Sequence, residues 1–176
     1  MNLSFRATRP SGDEYAPYYE KYISLVSEGD IVTTLRRQMA DTLSLIRGLS
    51  DKQAMFAYAP GKWNIKEVVG HVIDGERIFA YRALRIARGD KTPLATFDEN
   101  AYAQIGGHAR RTVADLANEF EHVRISTLDL FGQFDEEAWS RRGTASGYGV
   151  SVRAIAWIIA GHEVHHRNII RERYLR

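Results

Sequence analysis

The stretch WNIKEVVGHVIDGERIFAYRALRIARG, residues 63–89, carries the strongest helix signals in the chain. Asn64 stands at an N-cap position and Glu67 follows three residues later, which is the arrangement of a capping box. The apolar residues recur every three or four positions and so share one helix face: Ile65, Val68, Val69, Val72, Phe79, Ala83 and Ile86. Gly89 and Pro93 are typical of a helix end. The stretch therefore predicts an amphipathic helix that ends at about Arg88.

Three further segments show the same pattern. Asp30, Thr112 and Ser151 each stand at an N-cap position before a long amphipathic stretch. A loop of about twenty residues (93–111) follows the helix of residues 63–89 and is longer than a plain connection requires. No segment alternates at period two over a length that indicates a sheet. The sequence predicts an all-α four-helix bundle with a long crossover after the second long helix.

Composition narrows the class of protein. A chain of 176 residues fits one domain, residues 1–176, in which residues 1–29 form an N-terminal extension that packs on the bundle. The 24 basic and 22 acidic residues give a net charge of +2, too balanced for a nucleic-acid partner. There are no cysteines, so any thiol chemistry needs an external thiol. No segment is apolar enough for a signal core or a membrane span, and a cytoplasmic location is the default expectation.

The segment GHEVHHRNII, residues 161–170, places two histidines on the buried face of the last helix. His162 and His166 are four residues apart and continue the apolar row of Ile155 and Ile159. A single core histidine is usually satisfied by a carbonyl or hydroxyl group, but two stacked imidazoles are harder to satisfy in that way. This pair by itself leaves metal binding and a structural role about equally favoured.

A third histidine shifts that balance. His71 lies in the apolar part of the helix of residues 63–89, next to Gly70 and Gly75. Glycine costs about 1 kcal/mol in a helix interior, so both glycines make sense if another group must approach closely. We therefore predict a divalent metal held by His71, His162 and His166. Three protein ligands with an open fourth position are typical of a catalytic metal.

Two acidic residues are candidates for catalysis. His162, Glu163 and His166 also fit the H-E-x-x-H signature of zinc proteases, but only ten residues follow His166, too few for the downstream ligand of those enzymes. Glu163 is predicted either to support the metal site or to face solvent. Asp98, with Glu99, lies in the long loop and could serve as a base at the mouth of the bundle, although the tripeptide DEN is also common in turns.

Two segments resemble the DinB family, also described as DinB/YfiT-like metalloenzymes. They are GKWNIKEVVGHVIDGERIFAYRALRIARGDKTPLATFDENAY, residues 61–102, and AWIIAGHEVHHRNIIRERYL, residues 156–175. The mark of the resemblance is a W-x-x-x-E-x-x-x-H stretch, here Trp63, Glu67 and His71, followed by an H-x-x-H-H cluster on the last helix. The resemblance covers the chain from about residue 30 onward.

The resemblance implies a bundle of the up-up-down-down type and a divalent ion, zinc or nickel, at the three histidines. It implies a small-molecule substrate and, in some members, a low-molecular-weight thiol. The leading hypothesis is an enzyme that activates such a thiol, as a transferase, or water, as a hydrolase. The alternative is a metal or small-ligand binding module without catalysis. The resemblance favours a homodimer, and four N-terminal tyrosines suggest an apolar surface for it: Tyr15, Tyr18, Tyr19 and Tyr22.

Overall fold

The structure is a computed structural model that describes residues 5–175. Its helices and strands are, in chain order, α1 (Glu20–Ile23), α2 (Ile31–Arg47), α3 (Asp51–Ala54), α4 (Ile65–Ala87), α5 (Glu99–Ile105), α6 (Val113–Gly132), α7 (Glu136–Ser140), β1 (Arg142–Ala145), β2 (Tyr148–Ser151) and α8 (Val152–Ile169). The four long helices, α2, α4, α6 and α8, form the bundle. Within residues 5–175 no helix combines the length and apolar character that a membrane crossing requires.

The four long helices begin where the sequence predicts. Asp30 accepts the Thr33 amide at 2.8 Å, and Thr112 and Ser151 cap α6 and α8 in the same manner. Asn64 and Glu67 complete the predicted capping box. Each cap satisfies amides that the first helical turn leaves without a partner. The predicted all-α four-helix bundle is confirmed.

Two apolar clusters, one at each end of the bundle, show the direction of each helix. The first cluster includes Ile31, Ala87, Phe131 and Val152. The second cluster includes Ile46, Ile65, Val113 and Ile170. The N-terminal ends of α2 and α8 and the C-terminal ends of α4 and α6 therefore lie at the same end of the bundle. The helices run up, down, down and up, and not in the up-up-down-down order that the family resemblance implied.

The lengths of the connections explain this order. Residues 48–64 stay at one end of the bundle, so α2 and α4 are antiparallel. α4 and α6 are parallel neighbours, and the connection between them must return along the bundle. A helix of twenty residues is about 30 Å long, which a short turn cannot span. Residues 88–112 make this crossing, at the place where the long crossover was predicted.

One buried arginine of α6 contacts the other three long helices. Arg124 of α6 is 0% exposed. Its guanidinium group donates to both oxygens of Glu76 on α4 at 2.8 Å, to Glu163 on α8 at 2.6 Å and to the Leu35 carbonyl on α2 at 3.0 Å. Because the charge is fully paired, it can remain in the core. Arg124, Glu76 and Glu163 are called the arginine network below.

A short hairpin was not predicted from the sequence. β1 and β2 are joined by Ser146 and Gly147, whose φ angles of +53° and +82° suit a two-residue hairpin turn. Each strand has only four residues, which is too short for an alternating pattern to be recognised. β1 also bridges to Leu94 in the crossover and holds that segment against the bundle.

The described part of the N-terminal extension lies against α8. A Cβ atom at Gly161 would lie 2.1 Å from the carbonyl oxygen of Tyr22, so this glycine allows α1 to contact the helix backbone. Arg153 of α8 forms a buried ion pair with Glu14. Of the four tyrosines suggested as a partner surface, Tyr18 is 55% exposed, whereas Tyr15 and Tyr22 are buried in the chain itself. These tyrosines therefore do not form the continuous exposed surface that was expected.

Candidate metal centre

Three imidazole rings from two helices converge in the core. His71 projects from α4, and His162 and His166 project from successive turns of α8. The Nε2 atom of His162 lies 2.9 Å from Nε2 of His71 and 3.1 Å from Nε2 of His166. One nitrogen from each ring falls within a group whose members are all within 4.8 Å of one another. The structure brings together the three residues that the sequence predicts as ligands.

Burial keeps these rings neutral. It lowers the pKa of His71 to about 4, and it holds the pKa of His162 well below its usual range, as does the charge on neighbouring histidines. The pKa of His166 is lowered by burial to about 2. A neutral imidazole keeps a free lone pair on one ring nitrogen, and this is the form that binds a metal.

Hydrogen bonding alone leaves the group incomplete. A ring nitrogen offers either one proton or one lone pair. Nε2 of His162 faces two other nitrogens and can satisfy only one of them. A single cation can accept a lone pair from all three rings, and three imidazoles are a usual ligand set for zinc. The donor atoms therefore fit a divalent transition-metal ion.

Aromatic neighbours fix the orientation of the rings. Trp63 packs on His71 with ring centroids 4.9 Å apart. The edge of Tyr22 packs on His162 at 5.3 Å, which links the N-terminal extension to the site. The histidine side chains are thereby held in place by packing before any ligand binds.

Both glycines of α4 allow a close approach, as predicted. At Gly75 an added Cβ would lie 3.2 Å from Cε1 of His162. At Gly70 the approaching group is the ring of His108, whose Cγ would lie 2.1 Å from an added Cβ. His108 is buried, and its Nε2 lies 3.2 Å from Asp74. This contact anchors the end of the crossover to α4.

Two cavities flank the histidines. The smaller one, called the Glu99 cavity, has a volume of about 50 Å³. Its walls include Tyr19, Tyr22, His71, Phe97, Glu99 and His162. The larger one, called the Lys62 cleft, has a volume of about 240 Å³. It is bordered by Tyr58, Lys62, Trp63, Asn100, His166 and Tyr174. Both cavities therefore border the ligand set, the smaller one at His71 and His162 and the larger one at His166.

Asp98 does not line either cavity. Its carboxylate caps α5 by accepting the amides of Asn100 and Ala101 at 2.9 and 3.1 Å. The neighbouring Glu99 is the acid that faces His71 and His162 across the small cavity. The tripeptide DEN therefore contributes both to a turn and to the cavity: Asp98 starts a helix, and Glu99 lines the cavity beside the histidines.

Glu163 faces away from the three histidine nitrogens. It is 1% exposed, and its two oxygens bind Arg124 and the Thr42 hydroxyl. The expectation that Glu163 faces solvent is wrong, and any support that it gives to the histidines passes through the α8 backbone, because its side chain hydrogen-bonds none of them. The protease-like spacing of His162, Glu163 and His166 is thus not a protease arrangement, since the third ring comes from upstream, on α4.

Several residues around the site were missed from the sequence. Arg124 follows Phe120 by four residues and Glu76 follows Val72 by four, so both occupy core positions in an apolar row. That register was a usable signal of a buried network. Lys62 and the cavity-lining tyrosines carried no comparable signal, because they reach the site from outside the bundle helices.

Comparison with known proteins places the chain among similar bundles. A family model described as the DinB superfamily matches residues 34–170. A protein of Oceanobacillus iheyensis that carries metal-dependent hydrolase in its name is 24% identical over 137 residues, which are 77% of this chain and 76% of that protein. The residues that the family model matches include all three histidines.

Solved structures share the fold. YfiT from Bacillus subtilis, described as a probable metal-dependent hydrolase with an unusual four-helix bundle topology, has a TM-score of 0.71 at 15% identity. The alignment covers 93% of this chain and 92% of YfiT. A mycothiol-dependent maleylpyruvate isomerase has a TM-score of 0.65 at 18% identity, and the alignment covers 78% of this chain and 58% of that one.

Proposed function

Because the chain belongs to the DinB superfamily, we propose that it is a metal-dependent enzyme whose divalent ion is held by His71, His162 and His166. The convergence of three Nε2 atoms, two from buried histidines and one from the half-buried His166, carries this proposal. Within residues 5–175 no fourth histidine, aspartate or glutamate joins the group. Three protein ligands with an open position are typical of a catalytic site, whereas a storage or sensing module would close the fourth position.

We propose hydrolysis as the class of reaction. When bound, a divalent ion supplies Lewis-acid activation of water near neutral pH. The Glu99 cavity, at about 50 Å³, has room for one or two water molecules beside His71 and His162. Both the Oceanobacillus relative and YfiT bear the words metal-dependent hydrolase. Cavity size and these two likenesses support the same class of reaction.

The side chains around the cavity have separate roles in this proposal. The carboxylate of Glu99 accepts a proton from the attacking water. Tyr19 and Phe79, whose ring centroids are 6.0 Å apart, form an apolar wall that excludes other water. Glu163 acts as a positioning residue, because its bond to Arg124 fixes the turn of α8 that carries His162. Asp98 keeps the first turn of α5, and therefore Glu99, in place.

A matched pair of variants tests these roles. After its metal content is measured by elemental analysis, the purified protein is assayed with a panel of esters and amides. Glu99→Gln should lower kcat by about ten- to ten-thousand-fold, the usual effect of losing a general base, and keep its metal. Asp98→Asn preserves the helix cap and should leave kcat within about twofold. A reversed result would restore Asp98 as the base, and full metal retention by His71→Ala would exclude the three-ligand site.

Thiol transfer is the second candidate. It is supported by the Lys62 cleft, which is large enough for more than water, and by the fold shared with a mycothiol-dependent enzyme. Adding a low-molecular-weight thiol to the cobalt-substituted protein distinguishes the candidates. A sulfur-to-metal charge-transfer band that is absent in His166→Ala would favour transfer over hydrolysis.

The metal and the assembly complete the proposal. Nitrogen donors suit zinc and nickel, and we propose one of these two ions in a cytoplasmic protein. We also propose a homodimer, now on the basis of exposed Met55 and Phe56, which are 49% and 50% exposed. Light scattering should give twice the chain mass of 20.0 kDa. A mass of one chain at micromolar concentration would exclude the dimer.

A further inference from the structure

The Lys62 cleft has the size and walls of a binding site for a small organic molecule. Its volume of about 240 Å³ corresponds to roughly eight water molecules. Trp63, Tyr58 and Tyr174 provide its aromatic walls, and His166 lies at its inner side. The walls are held firmly, because the Tyr174 hydroxyl donates to the Trp63 carbonyl at 2.8 Å and the Tyr58 and Tyr174 rings pack edge to face at 5.0 Å. The cleft is therefore preformed.

The charge inside the cleft is positive. Lys62 is the one lysine, arginine or acidic residue among the described lining residues, and the ring of His166 is neutral. A second cation stands at the rim, because Arg173 lies over the Tyr58 ring, 5.5 Å from its centroid. Glu67 lies five residues beyond Lys62, and its carboxylate accepts the Asn64 amide at 2.8 Å in the capping box.

A comparison of two lysines shows that the charge of Lys62 is available. Lys66 lies one helical turn further along and is fully satisfied, with its Nζ 2.7 Å from Asp51 and 2.6 Å from the Arg111 carbonyl. Lys62, in contrast, has no carboxylate within 4 Å among residues 5–175 and is exposed. An unpaired ammonium group in an aromatic cleft attracts an anion more strongly than it would in open solvent.

We propose that the Lys62 cleft binds a substrate that carries a carboxylate on an apolar or aromatic body, with Lys62 as the partner of the carboxylate. This inference rests on the proposed function, since the histidines define the reacting end of the substrate. The two cavities then have complementary charges. Glu99 takes up a proton in the smaller cavity, and Lys62 holds the anion in the larger one.

The alternatives fit the cleft less well. A cationic substrate would meet Lys62 and Arg173 with no acid among the described lining residues to offset them. A neutral substrate would leave the ammonium group of Lys62 without a partner and gain only from the aromatic walls. A carboxylate gains from both, because a charge-assisted hydrogen bond adds to the apolar contact.

Binding of two matched probes tests the proposal without turnover. Phenylacetate and phenylacetamide have similar size and shape and differ in charge. Their Kd values are measured by titration calorimetry on metal-free protein, so that neither probe can bind through the ion. The wild-type protein should bind phenylacetate about tenfold more tightly, the effect of one charge-assisted hydrogen bond. Lys62→Met should remove this preference, and Lys52→Met, a control at an exposed lysine outside the cleft, should keep it.

Each outcome has a defined meaning. Equal affinity for the two probes in the wild-type protein would overturn the carboxylate site. A preference that persists in Lys62→Met would overturn the role of Lys62. Metal content is measured separately on the same preparations. If the protein binds no metal but prefers phenylacetate through Lys62, the proposed enzyme fails while the anion site stands. If metal binds and the preference is absent, the enzyme stands and the substrate class is wrong.

Discussion

The last bundle helix carries two adjacent buried polar groups whose surroundings are opposite. Glu163 lies in the arginine network, where every charge has an oppositely charged or hydroxyl partner. Nε2 of His162, the residue before it, lies next to two other histidine nitrogens, and its single proton or lone pair can satisfy only one of them. Both groups are buried to a similar degree, at 1% and 6% exposure. Burial alone therefore does not mark a functional residue.

Glu163 and His162 differ in whether their hydrogen-bonding partners are complete. A buried polar group that is fully paired is stable as it stands, and its role is to fix neighbouring helices. A buried cluster that is complete only when a cation is added is a binding site. Three measurements on the purified protein test this distinction.

Removing the arginine should have the largest effect. Arg124→Ala leaves Glu76 and Glu163 as buried carboxylates without their cation, and loss of one partner in a buried pair costs about 3–5 kcal/mol in the free energy of unfolding. The free energy is measured by urea denaturation of metal-free protein. Arg77→Ala, which removes a half-exposed partner of Glu119, should cost less than about 1 kcal/mol. Similar losses in both variants would show that the arginine network is not structural.

Adding metal should have the next largest effect on the free energy of unfolding, and this effect should depend on the histidine cluster. Zinc at a free concentration of about one hundred times its Kd should raise the free energy of unfolding by about 2.7 kcal/mol, because the ion binds the folded state. His162→Ala should show no such increase. His122→Ala changes an exposed histidine on α6 and should respond like the wild-type protein. An unchanged increase in His162→Ala would place the ion elsewhere.

The pH dependence of the metal-free protein should show the smallest effect. Burial lowers the pKa of His71 to about 4, and burial also lowers the pKa values of His162 and His166. An unfolded histidine titrates near pH 6.5. Below that pH these histidines bind protons in the unfolded chain but stay neutral in the folded chain. Stability therefore falls as the pH drops from 7 towards 4.

Each buried histidine should contribute about 1 kcal/mol to the loss of stability between pH 7 and 5.5. His162→Ala should therefore lose about 1 kcal/mol less than the wild-type protein over that interval, as measured by urea denaturation at the two pH values. His122→Ala should follow the wild-type profile, because its histidine is exposed in both states. Parallel profiles for the wild-type protein and His162→Ala would mean that His162 already titrates normally in the fold.

Much of this molecule could be predicted from local patterns in the chain. Helix caps act within one turn, so Asp30, Asn64, Thr112 and Ser151 mark the helix starts by themselves. The spacing of three and four residues assigns His162 and His166 to one buried face. His71 is predicted as the third ligand because it lies between two glycines in an otherwise apolar part of its helix. These features depend on residues close in sequence, and the structure agrees with them.

The contacts between distant parts of the chain could be read only from the folded structure. The directions of α2 and α4 depend on where residues 48–64 run, and no local pattern encodes that path. Glu99, and not Asp98, lines the cavity beside the histidines, because Asp98 is used to cap α5. Glu163 meets Arg124 through packing between α6 and α8, while Lys62 forms a cleft with residues more than a hundred positions away. Helix periodicity fixes the face on which a side chain lies, whereas its partner across the core depends on packing between helices, which sequence spacing alone does not encode.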